Sequence, residues 1–264
     1  MNLKRASAVF GFVIAAAGIS YWGAKQVFIR AFATTDLQVR PYVAWKIDFV
    51  VAEGKEVTTA QTISVRRRDG ASVQIATMYP ARGAAITARR VDFPDGYAGT
   101  IIDSIRAKMT GRKSAVAVDA DKATLMNSPG DCAYPGEKVQ GEGNTFGYHV
   151  VQVVSGNDTA RFVSWRLPDF SCMPVQTVLQ NRSSVNGTWQ TTNGSRVVSF
   201  IQTDPDPRIF TGWDGYSEEG PSDLRKKLMT NSGITPQQCP NCFADDPKGD
   251  ALYTDWHARL IKQP

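Results

Sequence analysis

Two thiols three positions apart, in Cys239-Pro-Asn-Cys242, are the most chemically specific feature of this chain. At that spacing a cysteine pair forms a small disulfide loop, supplies half of a zinc site, or exchanges disulfides. Redox exchange needs a lowered thiol pKa, which a strand-to-helix junction at the motif provides. Here SGITPQQ precedes and FADDPKGD follows, with no such junction, and Asp245 and Asp246 oppose a thiolate. Zinc needs two more ligands. Cys132 and Cys172 are solitary and distant, and His257 is the nearby imidazole. The plainer expectation is two structural disulfides, Cys239–Cys242 and Cys132–Cys172, among the three connectivities that four cysteines allow. A Cys132–Cys172 bridge closes a loop of about forty residues, worth ~3–4 kcal/mol on the chain-entropy model.

Other catalytic chemistry finds little support. The chain has two histidines, and His149 lies inside the apolar run FGYHVVQVV without a nucleophile motif beside it. There is no Gly-x-Ser-x-Gly, no His-Glu-x-x-His and no phosphate loop. Asp204 and Asp206 fall in Asp-Pro-Asp-Pro, where the prolines read as a turn rather than a carboxylate pair. The expectation is a non-catalytic chain without metal or cofactor, with thiol–disulfide exchange at CPNC as the alternative.

The charge distribution bears on partners. The net charge of 264 residues is +5, and Lys4, Arg5, Lys25 and Arg30 carry four of those charges. The remainder is nearly neutral, with little field to steer a polyanion. Two local clusters, Arg66-Arg67-Arg68 and Arg89-Arg90, lie in strands near turns and read as solvated or edge-protecting charge. Nucleic acid is therefore not an expected partner.

Those four charges flank a targeting segment. Met1–Arg5 is a short basic start, and Ala6 to Ala24 is a run of nineteen uncharged residues. At ~1.5 Å per residue it reaches roughly 28 Å, close to a bilayer's hydrocarbon thickness. Tyr21 and Trp22 stand where an interfacial aromatic pair belongs. Two readings fit: an uncleaved anchor spanning the membrane through residues 6–24, or a secretory signal cut after Ala31-Phe32-Ala33. Either places the rest of the chain in an oxidising compartment, facing the periplasm or secreted, where disulfides persist.

From Pro41 onward the chain reads as strands punctuated by turn signals. The expected strands are 41–52, 58–68, 71–78, 84–93, 97–105, 146–154, 160–167, 173–181 and 195–203. Asp69-Gly70 and Pro94-Asp95-Gly96 mark hairpins, and Asn186-Gly187 with Asn193-Gly194 separate the last two strands. In ARFVSWRL, Phe162, Ser164 and Arg166 oppose Val163, Trp165 and Leu167, the pattern of a half-buried strand. Residues 110–145 read as a long, partly irregular connection. Two helices are expected near the end: 222–229, capped by Ser222, and 249–262, with an apolar stripe of Leu252, Trp256 and Leu260 and Tyr253 adjacent to it.

The stretch IQTDPDPRIFTGWDGYSEEGPSDL (201–224) resembles a C-terminal pattern of exported or membrane-anchored bacterial β-rich proteins of unknown function. The Arg-Asp-Gly (68–70) and Val-Asp-Phe-Pro-Asp-Gly (91–96) hairpins are similar to earlier segments of such proteins. The resemblance implies an envelope location and a curled sheet, and it implies no catalytic residues. Such a sheet also resembles, in architecture, the half-barrels of lipoprotein-sorting proteins.

The expected fold is mainly β: a curled antiparallel sheet or half-barrel, with a β-sandwich as alternative. Residues 1–33 are the signal or anchor, 34–220 the β domain, and 221–264 a helical, cysteine-containing tail. The expected role is binding or scaffolding in the envelope, with an apolar ligand or an envelope protein as partner. Trp45, Phe49, Phe162 and Trp165 are the aromatic residues expected to line the core or the concave face, which should enclose several hundred Å³.

Overall fold

The computed structural model describes residues 39–79 and 84–262. The expected signal or anchor, residues 1–33 with the span 6–24, lies outside the described residues. No helix among the described residues is long and apolar enough to cross a membrane. The described residues make one compact unit. Within that unit the helical tail packs onto the sheet.

Twelve strands form one open sheet: β1 Tyr42–Ala52, β2 Lys55–Arg66, β3 Ser72–Met78, β4 Ile86–Asp92, β5 Tyr97–Ile102, β6 Ala107–Arg112, β7 Lys138–Thr145, β8 Tyr148–Gly156, β9 Ala160–Leu167, β10 Met173–Asn181, β11 Gln190–Ile201 and β12 Ser217–Glu218. Their lateral order is β12-β6-β5-β4-β3-β2-β1-β11-β10-β9-β8-β7. The sheet is thus single, which corrects the sandwich alternative. Neighbours pair antiparallel except β12, which runs parallel to β6. Two meanders, β1–β6 and β7–β11, meet at one ladder, where β1 pairs with β11 from Val43↔Ile201 to Val50↔Asn193.

Turn chemistry explains the hairpins. The Asp69 carboxylate accepts the Ala71 N–H at 3.0 Å, and the Asp95 carboxylate accepts the Tyr97 N–H at 3.0 Å. Gly96 takes φ +91°, and a Cβ there would stand 2.7 Å from Val118. The turn therefore needs glycine both for its backbone and for the close approach of helix α1 (Ala115–Met126). The partly irregular connection expected over 110–145 holds the end of β6, helix α1 and β7, and it is irregular between the last two, over 127–137. Asn193-Gly194 is also not a turn. It lies inside β11, where a Cβ on Gly194 would meet the Thr177 carbonyl at 2.5 Å and the Phe49 ring at 3.0 Å.

After β11 the segment 202–216 folds back as a strap. Arg68 donates two hydrogen bonds to Asp204, at 3.0 and 2.9 Å, and Asp206 caps the short 3-10 turn Pro207–Phe210. The strap inserts Phe210 and Trp213 into a core of Val65, Val73, Val91 and Ile101. Beyond it, Leu224 and Leu228 of helix α2 (Pro221–Asn231) pack on Ile102 and Ala107. Trp256 of helix α3 (Pro247–Lys262) lies against Gly111, where a Cβ would come within 2.1 Å of the indole.

One sequence expectation for the tail is corrected. The residue preceding α2 is Gly220, and Ser222 lies inside the first turn, where its hydroxyl donates to Asp250 of α3 at 2.6 Å. On α3 the docking runs through Tyr253 and Trp256 of the expected stripe and through His257, while Leu252 is 73% exposed. Here the Tyr253 hydroxyl donates to Glu218 at 2.7 Å, Thr110 donates its N–H and hydroxyl to the same carboxylate, and His257 Nδ1 meets the Thr110 carbonyl at 2.8 Å. Burial and the Glu218 carboxylate hold the Tyr253 phenol above its ordinary pKa.

If the strap is structural, truncating its anchor removes most of its stabilisation. Phe210→Ala is expected to lower unfolding free energy by about 3–4 kcal/mol in urea titration, as for a buried phenylalanine elsewhere.

Candidate functional site

Both expected disulfides are formed: Cys132–Cys172 and Cys239–Cys242. The two pairs sit in different surroundings. Cys132 and Cys172 are buried, at 0% and 5% exposure, and tie the connection before β7 to the β9–β10 turn. Cys239 and Cys242 flank a single 3-10 turn, Pro240–Cys242, and α3 begins only at Pro247. The thiol pair is therefore not at the N-terminus of an α-helix, the usual source of a lowered thiol pKa. Of the neighbouring acids, Asp245 pairs with Lys226, and Asp246 accepts the Gly249 N–H at 3.0 Å. His257 faces Thr110 and stacks on Tyr253 rather than joining the cysteines. His149 is exposed beside Glu142, at 3.3 Å.

The arginine clusters are largely engaged within the chain. Arg67 pairs with Asp69, Arg68 with Asp204, Arg89 with Asp103 and Arg90 with Asp92. Arg66 lies over the Tyr42 ring, 5.6 Å from its centroid.

Two clefts flank β9, and its alternation separates them as the sequence pattern predicts. Phe162, Ser164 and Arg166 line the first, of about 380 Å³, with Tyr134, Glu137 and Thr177. Its floor is a closed polar network. Arg166 donates to both Glu137 oxygens at 2.6 Å and to the Cys132 carbonyl at 2.8 Å. It also lies over the Tyr134 ring at 5.3 Å. Burial by itself would raise the Glu137 carboxyl pKa. The Arg166 hydrogen bonds and the Tyr134 N–H outweigh it and hold that pKa below the ordinary carboxylate range. With its charges already paired, this network braces the disulfide-tied connection more than it offers itself to a ligand.

The second cleft, of about 290 Å³, opens on the opposite side of β9, beside Trp165. Its floor is one transverse row. Gly141 pairs with Gln152, Gln152 with Trp165, Trp165 with Gln176, and Gln176 with Arg196. Paired residues in antiparallel strands present their side chains to the same face. The row thus crosses five strands, from the sheet edge to β11. Val150, Val175 and Val197 supply an apolar border, and residues 141–146 of β7 and its turn form the remaining wall. Gly141 and Gly143 alternate along β7 and leave that wall bare. A Cβ at Gly143 would meet only Val150, at an ordinary 3.7 Å.

The structure divides the four aromatic residues singled out from sequence. Phe49 is buried with Val163 and Val178, and Trp165 packs against the same cluster while lining the second cleft. Phe162, 45% exposed, borders the first cleft on the other side. Trp45, 47% exposed, pairs with Ile63 and Ser199 beside a bulge and lines neither cleft. Phe49 and Trp165 thus pack in the core, whereas Trp45 and Phe162 are exposed. Gln152, Gln176, Arg196 and the two glycines were not identified from sequence. Their signal was present as glutamines within valine-rich strands and glycines at a two-residue period.

No family model matches the chain, and no curated protein matches it. Among solved structures it is similar to PNGF-II, with TM-score 0.41 and 11% identity over 73% of this chain and 34% of that one. It is also similar to MucB in complex with MucA(peri), with TM-score 0.37 and 15% identity over 67% and 55% of the two chains. A third similarity is to an outer membrane lipoprotein-sorting protein domain from Vibrio parahaemolyticus, with TM-score 0.26 and 9% identity over 65% and 89%. The chain spans about a third of the length of PNGF-II. At these scores none of the three carries an argument about site or activity.

The two disulfides should separate on removal. Replacing Cys132 and Cys172 together by alanine is expected to cost roughly 3–4 kcal/mol by urea titration, and replacing Cys239 and Cys242 by serine only about 1–2 kcal/mol, because the closed loop is far shorter. The Glu137 carboxylate, with its pKa depressed in the fold, contributes stability that is full above ~4.3 and lost as pH falls through its folded value. Glu137→Gln should therefore lower stability at pH 7 by about 2 kcal/mol and flatten the acid limb of a stability–pH profile.

Proposed function

We propose that this chain is a non-catalytic binding protein of the bacterial cell envelope. Its N-terminal segment delivers the β domain across the inner membrane, either staying as a tether through residues 6–24 or being cut after Ala33. The domain then works on the periplasmic side, holding a ligand in the cleft beside Trp165.

The observation that carries this reading is the shared cleft itself. Strands lie ~4.8 Å apart, so on a flat sheet β7 and β11 would be separated by about 19 Å. Residues 141–146 and Arg196 nevertheless line one cleft of about 290 Å³. The Tyr148 hydroxyl donates to Gln202, just beyond β11, at 2.9 Å, and the Tyr148 ring lies 5.7 Å from that of Phe200. These contacts reach from β8 to β11 and support a sheet curled toward a half-barrel in its second meander. Bulges between Trp45 and Lys46 and between Pro174 and Gln176 supply local bending. A concave wall holding two aromatic rings, Trp165 and Phe146, and a few convergent polar groups is the ordinary form of a small-ligand site. Two disulfides and the absence of a recognisable nucleophile–base motif fit a binding role in an oxidising compartment.

Filling the cleft tests the reading without touching the core. The full chain in phosphatidylcholine nanodiscs is screened by thermal shift against neutral saccharides, fatty acids and extended peptides. One class should raise Tm, and Gly143→Leu should abolish that rise while leaving the ligand-free Tm within about 2 °C, since the site is exposed and sterically open. A rise that persists in Gly143→Leu, or no rise with any class, overturns the proposal.

A further inference from the structure

Resting on that reading, we propose that the Trp165 cleft takes a neutral saccharide, one sugar ring lying against the Trp165 indole between the side-chain amides of Gln152 and Gln176.

The argument starts from the order of the row. Gln152, Trp165 and Gln176 are consecutive cross-strand partners on β8, β9 and β10, so an amide stands on each side of the indole, one strand spacing away. Both glutamines are half-buried, and neither amide is engaged by another side chain among the described residues. Each carries two donors and one carbonyl acceptor. Trp165 is partly buried against Val163 and Val178, which fixes its body, while its remaining surface lines the cleft. A sugar ring matches this arrangement: it has an apolar C–H face for the indole and hydroxyls around its rim that both donate and accept.

Three alternatives fit less well. An acyl chain drawn across this floor would strip water from two amides without replacing their hydrogen bonds, at about 1–3 kcal/mol for each unpaired group. The apolar ligand expected from sequence is therefore disfavoured on this floor, although Phe146, Val150, Val175 and Val197 border the cleft. An anionic ligand would need a free cation. The row's cation, Arg196, is already paired with Glu56 and lies over Phe49, and Glu142 also lines the cleft. A strand-like peptide would need backbone pairing along an edge, whereas the row runs across the strands. Gly141 and Gly143 complete the site by leaving open the end of the row at the sheet edge, through which a longer glycan could continue past β7.

The test uses the full chain in phosphatidylcholine nanodiscs, titrated calorimetrically with a panel of neutral oligosaccharides built from glucose, N-acetylglucosamine and mannose. Laurate and adenosine serve as the acyl and stacking-base controls. The expected result is binding of at least one oligosaccharide, weakened tenfold or more by Gln152→Ala, Gln176→Ala and Trp165→Ala, and abolished by Gly143→Leu. Ligand-free Tm values of the two glutamine variants, measured beside wild type, separate loss of binding from loss of fold. Oligosaccharide binding indifferent to Gln152→Ala and Gln176→Ala, or no oligosaccharide binding at all, overturns the saccharide assignment. Binding of laurate or adenosine that Gly143→Leu abolishes also overturns it, while leaving the cleft as a binding site. Failure of every probe in wild type and variant alike overturns both.

Discussion

The β1–β11 ladder is the pairing on which the rest of the molecule depends. It joins Val43 to Ile201 and Val50 to Asn193, residues some 150 positions apart, and among the described residues it is the one strand pairing between the two meanders. Local hairpins can form within each meander at small entropic cost, but this ladder closes most of the chain and must be repaid by contacts that exist only once it forms. Those contacts are identifiable. Phe49 of β1 reaches across Gly194 of β11 to pack on Val178 of β10, and Arg196 lies over the Phe49 ring while pairing with Glu56 of β2. Arg196 itself enters the transverse row through its β10 partner Gln176, so the cleft is built within the second meander, while the ladder ties that meander to the first.

An open sheet of this width has faces to cover and edges to blunt, and the chain does both with segments that follow the strands they serve. The strap after β11 returns over the first meander and fills its face with Phe210 and Trp213. Helices α2 and α3 close the β6 end through Leu224, Leu228 and the Trp256–Gly111 contact. On the other meander, the Cys132–Cys172 bridge and the Arg166–Glu137 pair hold the connection that leads into β7. The two disulfides thus differ in kind. One braces a long, sparsely packed connection, and the other closes a three-residue loop between two helices.

Much of this was legible from residue order. Strand positions followed from β-branched runs between Asp-Gly-type turns because hairpin pairing is local, and β9 kept the two-sided alternation that now separates the clefts. Helix α1 was not legible: AVAVDADKATLM lacks an apolar stripe, and none of its residues is fully buried. Strand β7 was hidden for a related reason. KVQGEGNT has the composition of a loop, and it is held as a strand by β8 rather than by its own propensity. The transverse row could not be read at all, because register across five strands is set by long-range pairing and by bulges at Val139/Gly141 and Pro174/Gln176. Its members were each visible, but their adjacency was not.

The composition of β7 brings stability and binding into opposition. Glycine weakens a strand, and an edge strand with free backbone groups invites pairing with other chains. Lys138, Glu142 and the bulge near Gly141 counter that hazard. Larger residues at 141 and 143 would strengthen the edge further, and the space next to Gly143 would accept them without a clash. They would also remove the open wall of the cleft. A strand that sits at the weak margin of the sheet, yet forgoes the simplest stabilising side chains on the face it shares with Gln152 and Trp165, is accounted for if that face must stay open to a ligand.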